Sequence, residues 1–267
     1  MFRNPEGNVS DDLVSLKFAV VSEVAGERDL LRQAASMASV PIETIEVAEP
    51  ADIAAVCDLL TREPFDVVFL DSRMPRAARQ SVIDAARAAK SGPFVILVGA
   101  ADIKTRQVLT DGLLVDGVLA KPIDSDEARA LVDGCVRARI PSRVLVVDDS
   151  STVRSVVRKV LAASRFRLES DEAEEGSAAL ERVRQQHYDI MFLDCHMPGL
   201  DGWGTLAEIQ RTHPKIQVVM ITGTNDERIA DKARAAGAKD LLFKPFYAKD
   251  IDAVLNRLFG LMPRKTV

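Results

Sequence analysis

Two consecutive aspartates, Asp148 and Asp149, close one short apolar run, and a third aspartate, Asp194, closes another. Carboxylates held close together repel unless a cation sits among them, and an all-oxygen donor set suits Mg2+. Lys244, followed by Pro245, brings a positive charge to the end of a further run, and Thr222 brings a hydroxyl. Together these groups have the makings of a phosphoryl-transfer site. Transfer to a carboxylate needs in-line positioning and neutralisation of charge on the equatorial oxygens, with Asp194 as the nucleophile. Once phosphorylated, Asp194 would offer new acceptor oxygens to Thr222 and rearrange the loop from Thr222 through Gly223 to Asp226.

These residues can meet only if the runs that carry them lie side by side. Short apolar runs bounded by turn residues alternate with segments of helical period, the pattern of a parallel sheet wound with helices. In such a sheet chemistry gathers at the carboxyl ends of the strands, where the acids, the threonine and the lysine all fall. Strands are expected near Val144 to Val147, Arg167 to Ser170, Ile190 to Leu193, Val218 to Ile221 and Asp240 to Phe243. The closing helix carries Ile251, Val254, Leu255 and Leu258 as one apolar stripe, with Asp250, Asp252 and Asn256 expected on its wet face.

The same plan occurs twice. FDVVFLDSRMP from Phe65 matches YDIMFLDCHMP from Tyr188, and Lys121-Pro122 recurs as Lys244-Pro245, each at an offset of 123 residues. KFAVVSE from Lys17 matches RVLVVDD from Arg143, and Gly99 to Asp102 is echoed by Gly223 to Asp226. The first copy predicts strands near Phe18 to Val21, Glu43 to Val47, Val67 to Leu70, Val95 to Val98 and Val115 to Ala120. An α/β fold of two tandem doubly wound parallel sheets, each of five strand and helix pairs, follows. Its expected limits are an N-terminal extension over 1–15, a first domain over 16–138, a linker over 139–142, a second domain over 143–262 and a tail over 263–267.

The first copy has lost half of the chemistry. Ser22 and Glu23 stand for the aspartate pair and Val98 for the threonine, while Asp71 and Lys121 remain. Without the carboxylate pair a cation is poorly held, and without a hydroxyl a phosphoryl group has no latch. This copy is expected to work through its surface.

The motifs VVDDS (Val146 to Ser150), LDCHMPGLDG (Leu193 to Gly202), MITG (Met220 to Gly223) and FKPF (Phe243 to Phe246) resemble those of CheY-like receiver domains of bacterial response regulators. The resemblance covers Arg143 to about Met262 and implies a flavodoxin-like fold. It further implies that Asp149 and Asp194 ligate Mg2+ directly, Asp148 through water, and His196 through its backbone carbonyl. The donor would be a phosphohistidine on a sensor histidine kinase or phosphotransfer protein. One position departs from the pattern: Leu241 stands where the family often carries an aromatic residue that couples to the threonine.

Composition sets limits on the remainder. A net charge of −5 argues against nucleic acid as the main partner, and the three cysteines, Cys57, Cys135 and Cys195, have no metal-ligand spacing. No signal peptide or membrane span is legible, so the cytoplasm is the expected compartment. No DNA-binding, cyclase or kinase motif follows Lys244-Pro245. The expected output is therefore contact with a downstream protein or self-association, and not an enzymatic reaction beyond the domain's own phosphorylation. A phosphorelay intermediate or phosphate sink is the first alternative, and a regulatory receiver half of a larger effector such as a diguanylate cyclase the second. A nucleotide messenger at Arg154, Arg158 and Lys159 ranks below both, because scattered arginines usually form a solvated face. His187 and His213 are expected to be surface groups, His196 to stand at the pocket mouth, Cys195 to be a buried apolar residue, and Trp203 to serve packing or partner contact. Val153 either faces a phosphodonor or extends the apolar stripe of Val156, Val157 and Val160.

Overall fold

The computed structural model of the chain describes residues 15–47, 52–100, 115–224 and 227–261. They form two compact units, one running to Arg137 and including Gly260 and Leu261, the other running from Ala138 to Phe259.

The first unit contains β1 (Leu16–Val21), α1 (Ala25–Ser36), β2 (Ile42–Val47), α2 (Ile53–Arg62), β3 (Val67–Asp71), α3 (Arg76–Ala88), β4 (Phe94–Ala100), β5 (Gly117–Lys121) and α4 (Ser125–Arg139). Its strands are parallel, in the order β2-β1-β3-β4-β5. The helix expected between β4 and β5, and with it Asp102, lies outside the described residues. Helix α4 ends at Arg139 and the next strand begins at Ser142, leaving Ile140 and Pro141 between them.

The second unit repeats the plan with β6 (Ser142–Val147), α5 (Ser151–Ala162), β7 (Leu168–Ala173), α6 (Gly176–Gln185), β8 (Ile190–Asp194), α7 (Gly202–Thr212), β9 (Gln217–Thr222), α8 (Glu227–Ala235), β10 (Asp240–Phe243) and α9 (Ala248–Leu258). Its parallel order is β7-β6-β8-β9-β10. Both sheets therefore have the doubly wound arrangement that the alternation of patterns implies.

Burial explains which strands were plain in the sequence. Strand β8, Ile-Met-Phe-Leu-Asp, is buried at every position, as a central strand covered by helices on both faces must be. The edge strand β7 runs three residues beyond its expected end, through Asp171, Glu172 and Ala173, because main-chain pairing with β6 continues where the side chains turn polar. In α9 the stripe of Ile251, Val254, Leu255 and Leu258 is buried as expected, but Asn256, expected on the wet face, is only 8% exposed. The α5 stripe also needs revision: Val157 is buried, Val153 and Val160 are half-buried, and Val156 is 44% exposed. Val156 is thus the exposed aliphatic residue on this helix.

Register aligns the ends of the central strands. Val147 pairs with Leu193, Asp194 with Ile221, and Phe243 with Thr222. Asp148, Asp194, Thr222 and Lys244 consequently emerge at one edge of the sheet. Two caps fix the chain around this edge: Ser150 Oγ accepts the Val153 N–H at the start of α5, and an Asp201 carboxylate oxygen accepts the Gly204 N–H, at 2.8 Å, at the start of α7.

Candidate functional site

Asp194 ends β8 with only 4% of its surface exposed. Lys244 Nζ lies 2.7 Å from Asp194 Oδ1 and 2.8 Å from Asp148 Oδ2, so one ammonium joins the ends of β8 and β6. The remaining oxygens are satisfied by the main chain: Asp194 Oδ2 accepts the His196 N–H at 3.0 Å, and Asp148 Oδ1 accepts the Ser150 N–H at 2.9 Å. Burial alone would lower the Lys244 pKa, but its bonds to Asp148 and Asp194 outweigh that and hold it above the ordinary lysine value.

Thr222 is fully buried, and its Oγ1 accepts the Thr224 N–H at 3.1 Å. The hydroxyl thereby braces the loop that it would reorganise; Asn225 and Asp226 lie outside the described residues. Leu241 is half-buried and packs, with Trp203, against one core cluster of the second unit. Trp203 is covered by Lys232 of α8, whose Nζ lies 4.1 Å from the ring centroid. His196 is exposed and Cys195 buried, as expected. Burial, together with the Asp194 charge, pushes the Cys195 thiol up to about 11.

The expected crowding of all three carboxylates is corrected by the structure. Asp148 and Asp194 converge on Lys244, whereas Asp149 is exposed. Among the described residues no three of His, Cys, Asp and Glu are gathered as a metal-binding group. The donor chemistry nevertheless fits a hard divalent cation, since two buried carboxylates, Asp148 and Asp194, share a single lysine and leave net negative charge.

A clamp not foreseen in the sequence holds the loop after β6. Arg154 donates from Nη1 to the main-chain oxygen of Asp148 at 2.7 Å and from Nε to Glu172 at 2.8 Å, and Arg158 also pairs with Glu172. Both arginines thus pair with Glu172. The first unit repeats the clamp: Arg28 donates to the Ser22 oxygen at 2.8 Å and to Glu46 at 3.3 Å.

The corresponding edge of the first unit holds a different network. Asp71 and Ser22 are each 3% exposed, and Val98, which has no hydroxyl, is buried beside them in sheet register. Lys121 Nζ lies 2.9 Å from Asp71 Oδ1 and 2.7 Å from Glu27 Oε1. Arg73 reaches Asp71 Oδ2 with both Nη2, at 2.7 Å, and Nε, at 3.1 Å. Burial would raise the Asp71 pKa, but the bonds from Arg73 and Lys121 outweigh it and lower the value to about 2. Glu23, the residue aligned with Asp149, is exposed. Neither Glu27 nor Arg73 was singled out from sequence. Comparing the copies at their own offsets could have flagged both, since Glu27 aligns with Val153 and Arg73 with His196.

Comparison with known proteins identifies the family of the second unit. Residues 144–256 match the response regulator receiver domain. The chemotaxis protein CheY of Bacillus subtilis (strain 168) is 30% identical over 115 residues, which cover 43% of this chain and 95% of that protein. The DNA-binding transcriptional regulator NtrC of Escherichia coli (strain K12) is 35% identical over 114 residues, covering 43% of this chain and 24% of the relative. A solved structure described as a probable two-component system response regulator/GGDEF domain protein shares the fold across 91% of this chain and 97% of its own, with a TM-score of 0.53 and 22% identity. With its doubly wound sheet, buried strand-end aspartate and bridging lysine, the second unit is a receiver domain, and the chain belongs to the receiver family of two-component response regulators.

Proposed function

We propose that Asp194 accepts a phosphoryl group from a phosphohistidine on a sensor histidine kinase or phosphotransfer protein. The observation that carries this reading is the placement of buried Asp194 beside Asp148 under the bridging ammonium of Lys244. In the transfer an Asp194 carboxylate oxygen forms the new P–O bond as the N–P bond breaks, and the imidazole leaves with the electron pair. Lys244 is positioned to neutralise charge on the transferred group, and the Thr222 hydroxyl is positioned to bond one of its oxygens. Asp149 and Asp194, Asp148 through water and the His196 carbonyl are the groups that would hold Mg2+, which supplies further charge neutralisation.

The domain limits proposed with this reading are 16–138 and 143–262. The second domain acts as the phosphorylated switch, and its state is read through protein contacts by a downstream target or by self-association. Phosphate flux onward to a phosphotransfer protein is the alternative form of output. The tandem fold shared with a protein described as carrying a GGDEF domain motivates a second reading, in which the chain is the regulatory part of a longer effector.

Phosphotransfer profiling against purified kinases and phosphotransfer proteins, with Mg2+, tests the principal reading. Label is expected on the wild type and absent from Asp194→Asn. Label that persists in Asp194→Asn and disappears in Asp71→Asn would reverse the assignment of the two domains.

A further inference from the structure

The two domains neutralise their acidic edges in different ways, and the difference lies in residues outside the three positions where the motif is degenerate. In the second domain two buried carboxylates, Asp148 and Asp194, share one lysine, so the group retains net negative charge that can draw a divalent cation. In the first domain two carboxylates, Asp71 and Glu27, meet two cations, Lys121 and Arg73. No net charge remains on that group.

The geometry is as specific as the charge count. Lys121 joins Asp71 to Glu27 just as Lys244 joins Asp194 to Asp148, but the second carboxylate now comes from helix α1 and not from the strand end. Ser22, aligned with Asp148, keeps a place in the network: its Oγ lies 2.8 Å from Glu27 Oε2 and 3.4 Å from Asp71 Oδ2. Arg73, aligned with His196, keeps the main-chain bond of its counterpart, with its N–H 2.9 Å from Asp71 Oδ1. Its side chain adds a guanidinium on Asp71 Oδ2 and lies 3.5 Å from Glu27 Oε1. Planar guanidinium and carboxylate groups bonded through two N–H donors form a directional pair, which a free cation must displace before it can bind.

We propose that Arg73 and Glu27 close the first domain's acidic edge as an internal ion cage, so that Asp71 takes up neither a divalent cation nor a phosphoryl group, and that removing Arg73 leaves Asp71 and Glu27 sharing one lysine, with the same net negative charge that the second domain's pair retains. The proposal concerns the first domain alone and does not depend on the reading of Asp194.

Mn2+ binding, followed by electron paramagnetic resonance on the full chain carrying Asp149→Asn and Asp194→Asn, provides the test. No binding is expected in that background, and acetyl phosphate is expected to leave Asp71 unlabelled. Adding Arg73→Ala, or Arg73→His as in the second domain's own repeat, is expected to tighten Mn2+ binding by at least about tenfold. Further addition of Asp71→Asn is expected to abolish the gain. Mn2+ bound at Asp71 in the background chain, or label on Asp71, would overturn the proposal. So would the lack of any gain in an Arg73 variant whose cooperative melting shows that it is folded.

Discussion

Gly202 packs so closely against Asp194 that a Cβ on the glycine would lie 2.0 Å from the Asp194 main-chain oxygen and 2.8 Å from the Cα of Cys195. The start of α7 is thus pressed directly onto the strand end that carries Asp194. Gly202→Ala must displace main chain and not merely a flexible side chain. The expected cost is about 3 kcal/mol of second-domain stability, with loss of phosphoryl acceptance. Gly223→Ala, where a Cβ meets nothing within 4 Å, should change stability by no more than about 0.5 kcal/mol. Urea denaturation of both variants checks the contrast.

Lys244→Met leaves buried Asp148 and Asp194 facing each other without their ammonium. A loss of about 2 kcal/mol is expected, discounted from a fully buried pair because the lysine side chain is 28% exposed. Millimolar Mg2+ should raise the Tm of this variant more than that of the wild type, since a cation among the acids replaces part of the missing charge. The folded-state pKa of Lys244 is raised above 10.5. Its contribution is therefore complete below that value and is lost only as the pH rises through the higher folded value.

Asp71 behaves with the opposite sign. Its pKa falls from 3.8 to about 2 on folding. Its ion pairs accordingly stabilise the first domain in full above the unfolded value, and the contribution disappears as the pH drops through about 2. Titration of unfolding free energy between neutral and strongly acid pH should show a fall of about 2 kcal/mol that Asp71→Asn removes.

Cys195 should resist alkylation in the folded protein. Its thiol is 1% exposed and is pushed up to about 11 by burial and by the Asp194 charge, so little thiolate exists at about pH 8. Mass spectrometry after iodoacetamide treatment should find Cys195 unmodified until denaturant is added.

Trp203 is the sole tryptophan, and Lys232 of α8 covers its ring. Helix α8 follows the loop braced by Thr222, so reorganisation of that loop should alter the cation over the indole. Addition of Mg2+ and beryllofluoride is expected to change Trp203 emission. Lys232→Met should shift the starting emission and reduce that response, and an unaltered response would exclude the helix pair as a reporter.

Much of this protein was legible without coordinates. Apolar runs ending in Asp148, Asp194, Thr222 and Lys244 determined a parallel sheet and the edge at which its chemistry gathers, because strand period and strand-end position are local properties of the chain. The internal repeat likewise determined two domains of one plan and showed that the first had lost its carboxylate pair and hydroxyl. Tertiary structure decided which long side chains bridge those ends. Lys244 joins Asp148 to Asp194 while Asp149 remains exposed, and Glu27 and Arg73 converge on Asp71 and Lys121 from a helix and a loop. Those pairings depend on rotamers and distances between segments far apart in sequence. A periodic pattern places residues on a face, but packing and charge balance across elements determine which of them touch.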